Sequence, residues 1–196
     1  MTDKTSPDKS STDQSLSMAF REAFRCHPAG VAVITADPGG HPVAMTVSSL
    51  ISVSAEPPTV GFTLSTRSSS TASVLQAGSV VIHLLRYGDL ALGQLGATPG
   101  ADRFGPGINW ERLVSGEPRY TDVATWFRAE IRGSLSVEGA TVVVAELREG
   151  VAGQGVGAPE LESLIYLDRR WHRLREAADG QVSVTLMSDD RHDVFR

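Results

Sequence analysis

Residues 43–78 read VAMTVSSLISVSAEPPTVGFTLSTRSSSTASVLQAG. Val43, Met45 and Val47 alternate with Ala44, Thr46 and Ser48, the two-residue period of a strand that continues to Ser54. Pro57-Pro58 breaks it, and TVGFTLS (59–65) forms a second strand. That strand runs into six hydroxyl residues, Ser65, Thr66, Ser68, Ser69, Ser70 and Thr71, gathered around Arg67. A helical pattern starts near Ser69 or Ser70, carries Val74 and Leu75, and stops at Gly78. The hydroxyls therefore crowd a helix start, where backbone N–H groups lack partners and partial positive charge collects. Arg67 adds a group able to grip a phosphate with two hydrogen bonds. One Ser or Thr suffices as an N-cap, so the cluster reads either as ordinary capping or as a phosphate site. Thr46, Ser48 and Ser49 read either as the wet face of a strand or as the polar edge of a cavity. In a barrel, the strand joining the two clusters brings both to one side. A ring-shaped apolar ligand with a phosphate tail needs that combination.

Outward from this stretch the pattern stays β-rich. Strands are predicted over 30–37 and 79–85, with a hairpin over 124–139 and 141–153 joined near Glu138-Gly139. Two short strands are predicted over 164–174 around Asp168, with a last strand over 181–188. Leu16, Ala19, Phe20, Ala23 and Phe24 share one face of a helix that His27-Pro28 and Gly30 stop. Residues 87–96 form a short helix, 98–110 a Gly- and Pro-rich loop, and 153–159 a flexible loop. Residues 1–15 carry almost no apolar side chains and are expected to be a disordered tail. The domain is expected to cover 16–175, with 176–196 as a C-terminal extension. Many strands at hairpin spacing without βαβ alternation predict a mainly β fold, an antiparallel barrel with peripheral short helices. The glycine fingerprints of Rossmann and P-loop nucleotide sites are absent.

With 196 residues, 41% hydrophobic and 21% charged, the chain has the length and composition of one globular domain. A net charge of -5 argues against nucleic acid and anionic membrane surfaces as partners. No apolar run approaches the roughly 20 residues that span a bilayer, and the N-terminus lacks the order of a signal peptide. The single cysteine, Cys26, fits a reducing cytoplasm and is expected to be a small buried residue. His27 is expected to cap a helix end, and His41 and His192 to be solvated. The histidines show no metal-ligand spacing, and no pair of carboxylates marks acid–base catalysis.

The chain resembles the flavin reductase-like, FMN-binding split-barrel family, the reductase components of two-component flavin-dependent monooxygenases. The stretches that carry the resemblance are FRCHPAGVAVITA (24–36), 43–64, 66–85, ADRFGP (101–106) and LIYLDRRWHRL (164–174), within roughly residues 17–175. It implies a six-stranded Greek-key split barrel, a homodimer, and hydride transfer from NADH or NADPH to FMN or FAD. The reduced flavin would pass to a partner monooxygenase. By the same resemblance Thr46, Val47, Ser48 and Ser49 line the isoalloxazine. Ser65, Arg67, Ser69, Ser70 and Thr71 hold the ribityl phosphate, and Asp102, Arg103 and Phe104 form a loop closing over the flavin. Two positions depart from the family pattern. His83 stands where the family usually has Asn near the flavin, which makes it a possible catalytic residue or else a core histidine. Leu167 stands where a histidine serves the nicotinamide side. These departures keep open a flavin-binding barrel turned to a step on a small metabolite, or a non-catalytic barrel.

Overall fold

The computed structural model describes residues 9–153, 162–176 and 182–186. The tail 1–8, most of the loop 153–159, and residues 187–196 with His192 lie outside the described residues.

A helix, α1 (Lys9–Arg25), precedes the sheets. It begins inside the stretch read as a tail, and every described side chain on it is exposed. The strands follow as β1 (Ala29–Gly30), β2 (Ala32–Ala36), β3 (Val43–Val47), β4 (Ile51–Ala55) and β5 (Pro58–Ser65). Next come α2 (Thr71–Ala77), β6 (Ser79–Leu84), a 3-10 turn (Tyr87–Asp89) and α3 (Leu90–Ala97). The chain continues through β7 (Trp110–Arg112), β8 (Pro118–Tyr120), β9 (Trp126–Val137) and β10 (Ala140–Val151). It ends with β11 (Ser163–Leu167), β12 (Arg170–Glu176) and β13 (Val182–Leu186). Among the described residues no helix is long and apolar enough to cross a membrane.

The main sheet has seven antiparallel strands in the order β3-β2-β6-β9-β10-β5-β4. The expected single strand over 43–54 is two strands, separated at Ser48–Leu50, which accounts for a seventh strand where six were expected. The cause is closure. β3 and β4 are joined by three residues yet occupy opposite edges of the sheet, so the sheet must curl until its edges meet. Ser49 fastens this seam. Its Oγ accepts from Thr63 N at 2.9 Å and donates to Thr63 O at 3.3 Å, a side-chain substitute for a missing ladder bond on β5. The long hairpin β9–β10 forms as read, turning at Glu138-Gly139, and Gly139 O accepts from Thr66 N at 3.1 Å. That bond ties the hairpin tip to the hydroxyl-rich loop.

Two cores result from the strand alternation. Ile34, Phe62, Leu64, Val80, Ile82 and Val143 fill the barrel. Val31, Val33, Leu85, Tyr120, Leu164 and Trp171 pack between its outer wall and a smaller sheet, β1-β11-β12-β13. β2 is buried on both faces because its alternate residues serve both cores. The 164–174 hairpin turns at Asp168 and Arg169 with φ of 50° and 60°, the left-handed pair that a two-residue turn uses.

Candidate functional site

A cavity of about 540 Å³ lies at the barrel seam. One wall is the end of β3 and the break after it: Thr46, Val47, Ser48 and Ser49. Across from these stand Thr63 and Ser65 of β5 and the loop residues Arg67, Ser68 and Ser69. Gly96, Ala97 and Pro99 at the C-terminal end of α3, with Arg103, complete it. Among the described residues the wall includes two arginines and no Asp or Glu. A chain of net charge -5 thus has a cationic cavity, which sequence totals cannot show.

The loop 65–70 is shaped by its own hydroxyls. Ser65 Oγ accepts from Arg67 N at 3.3 Å, and Ser68 Oγ accepts from Ser70 N at 3.3 Å. These short turns keep the segment from continuing β5. Two of the expected phosphate ligands lie elsewhere. Ser70 is buried and its hydroxyl donates to Ala44 O on β3 at 3.3 Å, so it does not cap α2. Thr71 is buried and donates to Ser65 O at 2.6 Å. Both spend their hydroxyls fixing the loop and helix against the barrel. Ser65, Arg67 and Ser69 lie on the cavity, joined by Ser68, a member of the hydroxyl cluster that the family resemblance does not include. Among the described residues, no hydrogen bond or ion pair engages the Arg67 guanidinium, which is exposed on the rim.

Thr46 sits in the opposite wall, and its Oγ1 donates to Gly93 O on α3 at 2.7 Å. α3 approaches β3 so closely that a Cβ on Gly96 would overlap Thr46 Oγ1 and lie 3.2 Å from Thr46 N. Gly96 was not singled out in the sequence because a glycine in a short helix carries no chemical signal of its own. Its role comes from the close approach of two elements.

The 101–106 loop divides its work. Asp102 Oδ1 accepts from Phe104 N at 3.1 Å and shapes the turn. Phe104 stacks on Tyr120 with centroids 5.4 Å apart and meets Trp110 edge-on at 5.0 Å. Neither Asp102 nor Phe104 is in the cavity wall, while Arg103, between them, is. Arg103 is held through one terminal nitrogen, which donates to Thr98 O at 2.8 Å. Its Nε is buried and has no partner among the described residues.

His83 is fully buried on β6 and does not line the cavity. Its Nε2 accepts the Tyr120 N–H at 3.0 Å. A peptide N–H can only donate, so the ring is neutral, with its proton on Nδ1 donating to Val33 O at 3.2 Å. Burial pushes its pKa down to about 4, the neighbouring Arg119 adding to the effect. Both ring nitrogens are occupied, so the catalytic option for His83 gives way to the core option. Leu167 also lies off the main cavity, in a second hollow with Glu22, Arg25, Cys26 and Asp168. Cys26 is exposed, contrary to the expected burial, because it follows a helix that buries no described side chain. His27 closes the helix end through its backbone, its N–H donating to Phe24 O at 3.2 Å, and its ring packs edge-on against Phe24 at 5.9 Å.

A curled antiparallel barrel with a hydroxyl-lined cationic cavity at its seam defines a small-molecule-binding barrel. The family model described as the flavin reductase like domain matches residues 24–175. The chain is 39% identical over 125 residues to an NADH:FMN oxidoreductase from Rhodococcus erythropolis, a match covering 64% of this chain and 65% of that protein, just under two thirds of its length. It is 31% identical over 163 residues to the FMN reductase (NADH) RutF of Ancylobacter novellus, covering 82% of this chain and 87% of that one. A solved flavin reductase domain protein from Arthrobacter sp. FB24 superposes with a TM-score of 0.71 at 31% identity, over 88% of this chain and 98% of that one. The chain belongs to the flavin reductase-like domain family.

Proposed function

We propose that this chain is an NAD(P)H:flavin oxidoreductase that reduces FMN or FAD and releases it to a partner monooxygenase. The observation that carries the reading is the cavity itself: hydroxyls and Arg67 on one wall, Thr46 to Ser49 with Gly96 and Ala97 on the other, and no Asp or Glu in its lining among the described residues. The residues present fit a flavin phosphate. Arg67 has no competing anion among the described residues, and the hydroxyls of Ser65, Ser68 and Ser69 stand beside it. The volume lies in the range of cavities that take cofactor-sized ligands. Thr46 to Ser49 would border the ring, and the buried Nε of Arg103 is a spare donor for an electron-rich edge. Bound flavin supplies the hydride-accepting ring. The protein has to bind, orient and partly exclude water, and it needs no side-chain acid or base. The exposed positions of Ser65, Arg67 and Ser69 at the rim suit a ligand that comes and goes. The NADH in the relatives' names favours NADH as donor.

The protein is also read as a homodimer. Leu16, Phe20 and Phe24 line one side of α1, with 69%, 57% and 60% exposure, and Ile51, Val53, Leu135 and Val137 are exposed on the barrel. Apolar patches of this kind mark interaction sites in soluble proteins.

Steady-state NADH oxidation with FMN tests the reading. Arg67→Ala should raise the KM for FMN by about 10- to 150-fold, the range for losing a hydrogen bond to a charged group (about 1.5–3 kcal/mol), with kcat largely kept. An unchanged KM would remove Arg67 from the phosphate site.

A further inference from the structure

We propose that His83 and Tyr120 are positioning residues that set Arg103 in the cavity wall, although neither lines the cavity. The inference rests on the flavin-site reading of Arg103 given above. The linkage is continuous in the structure. Val33 O on β2 takes the Nδ1 proton of His83, and His83 Nε2 takes the N–H of Tyr120 on β8. The Tyr120 hydroxyl donates to Arg103 O at 2.8 Å. The His83 and Tyr120 rings lie 5.2 Å apart, and Phe104 stacks on the other side of Tyr120. Trp110 Nε1 donates to Phe104 O at 3.0 Å and closes the loop from outside.

This arrangement explains an otherwise costly residue. A histidine with no exposed surface, on a strand whose neighbours are Val81, Ile82 and Leu84, must recover its desolvation through both nitrogens. It does so by taking a peptide N–H from β8, a three-residue strand that forms a two-stranded sheet with β7 among the described residues. Another tie to the barrel comes from Thr35, whose hydroxyl donates to Pro118 O. β8 is thereby pinned to the barrel wall, and Tyr120 reaches from it to the backbone of Arg103. The Arg103 side chain is otherwise anchored by one bond to Thr98 O. The place of Arg103 in the cavity wall therefore depends on where Tyr120 holds its backbone.

The test is FMN titration and steady-state NADH oxidation on the full chain. The variants are Tyr120→Phe, His83→Leu, Arg103→Ala and Arg67→Ala, with Tyr120→Phe combined with each arginine change. Tyr120→Phe keeps the ring and its stacking and removes only the hydroxyl. It should raise the Kd and KM for FMN by about two- to tenfold, the effect of one neutral hydrogen bond, with kcat little changed. Combined with Arg103→Ala it should add nothing further; combined with Arg67→Ala it should add its full factor. His83→Leu, where it folds, should reproduce the Tyr120→Phe pattern. The proposal is overturned if Tyr120→Phe leaves FMN affinity unchanged. It is overturned equally if its factor is the same in both arginine backgrounds, which would mean general loosening. If Arg103→Ala alone leaves FMN binding intact the proposal fails at its premise, while failure of FMN to respond to Arg67→Ala would strike the flavin-site reading instead.

Discussion

Each hydroxyl and cation in the stretch that opened the reading acquires its role from what its atoms already hold. Ser70, Thr71 and Thr46 are committed to backbone carbonyls, so they fix the loop, α2 and α3 in place, while Arg67, Ser65, Ser68 and Ser69 border the cavity. The sequence made the cluster visible. It could not sort the members, because the sorting depends on Ala44, Gly93 and other partners distant in the chain. His83 shows the same limit: its partners Val33 and Tyr120 are 50 and 37 residues away. Its neutral burial also carries a consequence for stability. The unfolded chain takes up a proton near pH 6.5, while the folded one resists until about 4, so stability is full above about 6.5 and falls as pH drops through that window. Between about pH 7 and pH 5 the loss from His83 should be about 2 kcal/mol. Urea unfolding at the two pH values, compared with His83→Leu, checks this: the variant should show a loss smaller by about that amount. Equal losses would show that His83 is not held neutral.

At the scale of elements, the hairpin β9–β10, the 164–174 hairpin and the strand into α2 were legible because their signals are local: alternation, a turn residue, a glycine stop. The break between β3 and β4 was not. Val47-Ser48-Ser49-Leu50-Ile51 keeps a strand-like pattern, and only closure of the barrel forces the chain to leave one edge and join the other. The seam, the cavity and the approach of α3 all follow from that closure. Gly96→Ala tests the approach. Its methyl group would overlap Thr46 Oγ1 and press on the β3 backbone, so α3 must shift from the cavity wall. Stability should fall by about 1–3 kcal/mol, the cost of overpacking, and FMN affinity should fall with it. Thermal unfolding and FMN titration read the two effects, and a variant matching the parent in both would show that α3 has room to spare.

Over the whole molecule, the barrel is complete but its surface is not. The sequence pattern places Leu16, Ala19, Phe20, Ala23 and Phe24 on one face of α1. That face is exposed: the Phe20 and Phe24 rings lie tilted against each other, with centroids 4.4 Å apart, and both are open to solvent. The proposed homodimer gives that side an occupant. Sedimentation equilibrium at micromolar concentration should give about twice the 20.9 kDa chain mass, and Phe20→Glu with Phe24→Glu should shift the protein toward monomer. A parent protein that sediments as a monomer would contradict the dimer.

The central claim is that the seam cavity presents flavin to a nicotinamide nucleotide. Its most direct test is anaerobic mixing of the full chain with FMN and excess NADH, then NADPH, following the loss of yellow flavin absorbance against a protein-free control. Rapid bleaching is expected with the protein present, slowed in Arg67→Ala at limiting FMN. Bound FMN that stays yellow with both donors would contradict it.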